Sequence, residues 1–282
     1  MKRKILLITI PVLVSVAIFL VFKIAKKGSD PAETGYSFHY PFNFPGTLEE
    51  TEFMDESPSP YFWLNSGGLL QVKNDIGMTV QGNLNDKAKW RYAYAETSRQ
   101  DTDNGYHPQN LFRLLTRSKW QDFAQEASFR VAKDQLSDSE NRNESNGLLL
   151  FNRYQDSDNL YYTGLRVDGG AVIKKKYKGR YYTMALNPFL TGNYDKSKKI
   201  SLLPKNNWIG IRSVVQNTAD GRVSIKLFID NGLTGNWILA AEAIDDGIRY
   251  GGPAILEEGY GGIRTDFMDV HFDDLKITKI GD

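Results

Sequence analysis

From Tyr61 to the C-terminus, short apolar runs alternate with clusters of Gly, Asn and Asp. The runs carry the two-residue period of strands, and no long stretch carries an amphipathic helical period. Residues 61–64, 67–72, 77–80 and 90–94 are expected as short strands, followed by 111–117 and 123–132. The clearest pattern runs from Asn146 to Ala185, where four runs rich in Leu, Val, Tyr and Phe are separated by Gln155-Asp-Ser-Asp-Asn159, Asp168-Gly-Gly170 and Lys178-Gly-Arg180. Such spacing predicts a meander of four antiparallel strands joined by tight turns. Residues 208–216, 223–230, 237–243 and 262–277 continue the series. About a dozen strands are too many for an immunoglobulin domain and suit an all-β, two-sheet antiparallel jelly-roll sandwich.

The N-terminus departs from this pattern. Lys2, Arg3 and Lys4 precede an apolar run from Ile5 to Phe22, and Lys23, Lys26 and Lys27 follow it. A run of about 18 residues is near the minimum for a membrane-spanning helix and longer than the usual apolar core of a cleaved signal. No small-residue cleavage site follows, so residues 1–27 are expected to form an uncleaved signal anchor, with a cleaved signal peptide as the competing reading. Pro11 is tolerated in such a span. Basic residues nearly balance across the run, and the α-amino group tips the N-terminus inward. Either reading sends the β domain across the membrane to the extracytoplasmic side, and the anchor reading makes the chain a single-pass membrane protein. Residues 28–57 are proline-rich and acidic and read as a linker; residues 58–282 form the jelly-roll domain. Within the linker, Tyr36–Phe44 is aromatic enough to be expected as a strap packed on the sandwich rather than a belt against lipid.

Composition narrows the function. The 282 residues carry a net charge of +1, so no global field selects nucleic acid, and local patches must carry any electrostatic argument. Absence of cysteine excludes disulfides, thiolate zinc sites and a cysteine nucleophile. The three histidines, His39, His107 and His271, are too far apart in sequence to suggest a metal site. No phosphate-binding loop, dinucleotide fingerprint, serine elbow or zinc-protease helix is present.

Three segments resemble the concanavalin A-like lectin and glucanase superfamily, which includes laminin-G-like modules and the 3-keto-disaccharide hydrolase domain. They are Trp120–Val131, Leu150–Gly169 and the closing Gly261-Gly-Ile-Arg-Thr-Asp-Phe-Met-Asp-Val-His-Phe-Asp-Asp-Leu-Lys-Ile277. The resemblance covers roughly Pro58 to Ile280 and implies a jelly roll with a sheet that often receives sugar chains; fold alone does not imply catalysis. The retaining glucanases of the superfamily carry Glu-x-Asp-x-Glu on one strand, which this chain lacks. Lys176-Tyr-Lys-Gly-Arg-Tyr-Tyr182 looks like the Tyr-Lys-x-Gly-x-Tyr strand of alginate lyases, without their companion Arg-x-Glu-x-Arg and Gln-x-His motifs. The resemblance also implies that Asp274 holds a structural Ca²⁺. The alternative is a bulge whose Asp bonds backbone amides. Bulging is expected independently, because Val270 and Phe272 have the opposite parity to Leu275 and Ile277.

Strand parity sorts the remaining candidates. Tyr162, Gly164, Arg166 and Asp168 share one face, while Tyr161, Thr163, Leu165 and Val167 share the other and read as core. Arg113 and Arg117 lie opposite Phe112 and Leu114, and Lys174 and Lys176 lie opposite Ile173. Between Asn110 and Ala185 there are 13 Lys and Arg against 9 Asp and Glu, an excess that these positions would concentrate on one face. Arg113, Arg117, Tyr162, Arg166, Lys174 and Lys176 would then line a basic groove, with His107 at its end. Guanidinium forks and aromatic rings in such a groove suit an acidic polysaccharide. The competing reading is a solvated face of cross-strand ion pairs, such as Arg166 with Asp168. Asp101-Thr-Asp-Asn-Gly105 and Asp156-Ser-Asp-Asn159 read as Asx turns.

The leading expectation is a membrane-tethered module that binds carbohydrate, with an acidic polysaccharide as its partner. A polysaccharide lyase or glycoside hydrolase on the same fold, and an envelope or adhesion component that binds protein, are the alternatives. Proteinase added to intact cells should digest the β domain; full protection would overturn its extracytoplasmic placement.

Overall fold

The computed structural model describes residues 37–198 and 201–280, and the anchor read in residues 1–27 lies outside them. Among the described residues no helix is long and apolar enough to cross a membrane. In chain order the strands begin with β1 (Ser37–Tyr40), β2 (Gly46–Glu49), β3 (Phe62–Ser66), β4 (Leu69–Lys73) and β5 (Ile76–Met78). After helix α1 (Lys89–Thr97) come β6 (Leu111–Trp120), β7 (Phe123–Asp134), β8 (Gly147–Asp156), β9 (Asn159–Arg166), β10 (Gly170–Tyr177) and β11 (Arg180–Pro188). The series closes with β12 (Trp208–Asn217), β13 (Val223–Asn231), β14 (Ile238–Asp245), β15 (Gly259–Asp266) and β16 (Met268–Lys279).

They form an antiparallel sandwich. One sheet has nine strands, in the order β14-β13-β12-β7-β16-β5-β4-β2 with β1 also on β16; the other has seven, in the order β11-β10-β9-β8-β15-β6-β3. Alternation explains the interior. Along β7, Phe123, Ala127, Phe129 and Val131 point inward, and Phe112, Leu114, Leu148, Leu150, Tyr161 and Leu165 meet them from the facing sheet. The meander of β8 to β11 is as expected, with Tyr161, Leu165 and Val167 in the core. The aromatic strap is β1 and the residues after it: Phe38 and Phe42 are buried, and β1 pairs with β16 from Ser37↔Thr278 to Tyr40↔Leu275.

The parity flip in the closing strand has its expected cause. Asp273 lies opposite Ser128 and Lys276 opposite Glu126, so Asp274 and Leu275 face the single residue Ala127. This bulge returns Leu275 and Ile277 to the core beside Val270 and Phe272. Two other expectations are corrected. Residues 262–277 are not one strand: the chain turns at Phe267, with φ +53°, and passes from β15 in one sheet to β16 in the other. Residues 90–94 are not a strand but part of α1. Trp90, Tyr92 and Tyr94 mimic a period of two, yet the helix buries Tyr94 and leaves Tyr92 61% exposed. Trp90 and Tyr94, four residues apart, pack along one face with tilted rings, centroids 6.3 Å apart. Gly105, at φ +83°, lets the next loop approach the helix backbone, since a Cβ there would lie 1.9 Å from the Arg91 carbonyl oxygen.

A fully buried ion pair joins the two sheets at one end. Lys175 Nζ on β10 lies 2.7 Å from the Asp245 carboxylate at the end of β14, and both side chains are wholly inaccessible. The ammonium also donates to the carbonyls of Gly252 and Pro253, each at 2.8 Å, while the Tyr161 hydroxyl donates to Asp245 and accepts from the Ile255 amide. Burial, and then the Asp245 charge, push the Tyr161 phenol well above its usual range, so it remains a donor. Lys175→Met would strand a buried carboxylate and should lower unfolding free energy by about 3–5 kcal/mol in urea titrations. Combining it with Asp245→Asn should restore most of that loss; no loss in the single variant would overturn the clamp.

Candidate functional site

The outer face of the seven-stranded sheet carries the candidate site. Its floor is a second apolar cluster of Leu115, Leu149, Phe151, Tyr154, Leu160, Tyr162 and Val172, separate from the main core. Register brings cations over this floor. Arg113 on β6 lies directly opposite Arg264 on β15, and Lys174 on β10 lies opposite Tyr162 on β9. The hairpin at Lys178-Gly179 puts Tyr181 opposite Lys176, and the Tyr181 and Tyr162 rings meet edge to face at 5.9 Å. Arg113, Tyr162, Lys174, Tyr181, Arg264 and Asp266 share a cleft of about 390 Å³.

These cations are not equally neutralised. Arg264 donates from Nε to Asp266 at 2.9 Å; burial opposes its charge, but Asp266, Tyr181 and Tyr162 outweigh it and keep the guanidinium ionised. Arg113 and Lys174 make no hydrogen bond or ion pair among the described residues. Burial lowers the proton affinity of both, Arg264 adding to it for Arg113 and Arg166 with Arg264 for Lys174, against the smaller opposing pull of Asp266 on Arg113 and of Tyr181 and Glu144 on Lys174. Lys174 Nζ instead lies 5.9 Å from the centre of the Tyr162 ring and 6.0 Å from that of Tyr181. Asp266 Oδ2 is buried with no hydrogen-bond partner among the described residues. Tyr181 is the unusual phenol. Burial alone would push it up, but the cations of Arg264, Lys176 and Arg113 bring it below the ordinary value.

Of the residues expected to line a basic groove, Arg113, Tyr162 and Lys174 do so. Lys176 stands beside Tyr181, 5.0 Å from its ring, and donates to the Ser157 carbonyl at 2.7 Å with Asp158 at 3.3 Å. Arg166 is on the same face but 6% exposed, and its guanidinium is engaged by Asp168 at 2.6 Å and by the Glu144 carbonyl. Arg117 is directed to the carbonyls of Ser57 and Ser59, outside the cleft. His107 is held by Asp103 at 2.6 Å and Asn83 at 2.8 Å, also outside it. Asp274, at φ +51° in the bulge, receives His39 Nε2 at 2.7 Å and lies 3.5 Å from Lys276 Nζ. Among the described residues no group of three or more His, Asp or Glu converges to hold a metal ion.

Sequence reasoning passed over Arg264, Asp266 and Tyr181. The first two were legible as the face opposite Ile263 and Thr265, and Tyr181 as the cross-hairpin partner of Lys176 once the turn was fixed at Lys178-Gly179.

No protein-family model matches the chain, and no curated protein matches it. Solved structures give weak likenesses. A carbohydrate-binding module of Bacillus subtilis is 13% identical, with 60% of this chain and 82% of that one covered at a TM-score of 0.41. A β-glucanase of Bacillus licheniformis is 11% identical, with 88% and 100% covered at 0.45. The alginate lyase Aly36B is 9% identical, with 87% and 97% covered at 0.43.

Proposed function

We propose that the outer face of the seven-stranded sheet binds an anionic carbohydrate, on a domain carried outside the membrane by residues 1–27. The supporting observation is the pair Arg113 and Lys174: two cations face one cleft, both disfavoured by burial and by neighbouring cations, and neither is in a direct ion pair or hydrogen bond among the described residues, Asp266 and Glu144 acting on them only at longer range. A ligand carboxylate or sulfate entering there supplies the missing counter-charge, and the Arg113 fork suits a planar carboxylate. Tyr181, 48% exposed and packed edge to face on the buried Tyr162, offers the aromatic surface against which a sugar ring can pack.

Arg113→Ala and Lys174→Met should each weaken retention on immobilised uronate polymers about tenfold, about 1.4 kcal/mol. Arg222→Ala, whose cation pairs with Asp220 on the exposed surface, should leave retention unchanged. Retention indifferent to both cleft substitutions would remove the reading.

The lowered phenol of Tyr181 favours a second reading, β-elimination of a uronate. With Arg113 and Lys174 on the carboxylate, the Tyr181 phenolate would take the proton from C5. The electron pair forms the C4–C5 double bond as the C4–O bond breaks, and the leaving oxygen recovers a proton. Ultraviolet titration should show one tyrosine ionising ahead of the others. That phase should vanish in Tyr181→Phe and move to higher pH in Lys176→Met, because loss of a cation disfavours the phenolate. Uronate polymers should acquire unsaturated ends with the native protein and none with Tyr181→Phe; an absence of unsaturated ends with the native protein sinks the elimination and leaves binding.

A further inference from the structure

The cationic cleft does not stop at Arg113. Beyond that side chain a second hollow of about 520 Å³ opens between the start of β6 and helix α1, and Asp101, Leu111 and Arg113 line both. Its chemistry differs. Glu50, Trp90 and Tyr94 form its wall, with Ser66, Thr97 and Ser98 adding hydroxyl-bearing positions. In the first hollow Arg113, Lys174 and Arg264 stand against Asp101 and Asp266; in the second Arg113 alone stands against Glu50 and Asp101. The balance of charge therefore reverses between two hollows that share Asp101, Leu111 and Arg113.

Glu50 is held in place rather than left on a mobile surface. Its Oε2 accepts from the Tyr94 hydroxyl at 2.6 Å and from the Gly68 amide at 2.7 Å, and the Tyr94 hydroxyl in turn accepts from the Gly67 amide at 2.7 Å. Both bonds to the carboxylate fall on Oε2, leaving Oε1 for a ligand donor. Glu50 makes no ion pair among the described residues. Trp90, packed along α1 with Tyr94, supplies an aromatic wall beside it.

We infer that the second hollow is a subsite for a non-acidic sugar, bearing hydroxyl or amine donors, next to an anionic sugar in the first. This rests on the reading of the first cleft as an anion site. The ligand class is thus a glycan in which acidic and non-acidic residues adjoin, and not a uniform polyuronate, whose second carboxylate would face Glu50 and Asp101. Arg113, shared by both hollows, sets the boundary between the two residues.

Calorimetry on the full-length protein in detergent tests this with three probes: glucuronate, a galacturonate tetramer and a hyaluronan tetrasaccharide, which alternates glucuronate with N-acetylglucosamine. The alternating tetrasaccharide should bind about tenfold tighter than the uniform one. Trp90→Ala should abolish that advantage while leaving glucuronate affinity unchanged. Glu50→Gln, nearly isosteric, should narrow the discrimination by admitting the uniform tetramer, and it decides the matter alone if Trp90→Ala does not fold. Binding of glucuronate with equal affinity for the two tetrasaccharides, or selectivity that survives Glu50→Gln, overturns this inference and spares the anion site. Failure of all three probes to bind overturns the anion site and this inference with it.

Discussion

Three lysines in a row on β10 cannot all point outward, and the pairing of the middle one governs how the sheet presents the other two. Lys175 is turned into the sandwich, where Asp245 and two carbonyl oxygens receive it at the end of the facing sheet. A pair so deeply buried adds little net stability over an apolar substitute, because desolvating both charges offsets their attraction. Breaking it is another matter, since either partner alone would be a bare charge in the core. Its effect is to fix parity: with Lys175 inside, Lys174 and Lys176 fall on the outer face, one over Tyr162 and the other beside Tyr181.

That outer face then departs from the usual economy of charged surfaces. Arg264 has Asp266 and Tyr181, and Arg166 has Asp168, whereas Arg113 and Lys174 sit partly dehydrated without a direct ion pair among the described residues, where burial and neighbouring cations outweigh the more distant Asp266 and Glu144. A fold tolerates such an arrangement when its core supplies the stability elsewhere, and unsatisfied local rules of this kind concentrate at binding sites. Positive potential in the cleft thus comes from how partners are distributed, more than from how many cations are present. Asp266 bonds Arg264 directly and acts on Arg113 only at longer range.

Much of the architecture was legible because strand alternation is a two-valued code. Separation of Tyr161 from Tyr162, and the bulge at Asp273-Asp274 inferred from an inverted apolar parity, both follow from counting residues along an extended chain. Counting cannot reveal which cations are already neutralised. For Arg166 the sequence left both a ligand contact and a pair with Asp168 open, and the structure closes a fork between the two side chains. Arg117 lies near the far end of β6, where the backbone before β3 uses its guanidinium. The segment at Trp90 shows the opposite ambiguity: aromatics two apart match a strand, and only burial of Tyr94 against Glu50 and Gly67 selects the helix. Glu50 itself carried no signal, because its role depends on a contact 44 residues away.

The hand-over at Phe267 bears on how a ligand would be met. Its amide donates to the Asn110 carbonyl just before β6, and its carbonyl accepts from the Gln135 amide just after β7, so the crossing between sheets is bonded on both sides. Asp266 precedes this crossing by one residue and Arg264 by three, which ties the acidic wall of the cleft to central strands of both sheets. A wall fastened in this way has little conformational entropy left to lose. Association should therefore proceed with almost no loop closure, and selectivity would come from the shape and charge already present in the unliganded protein.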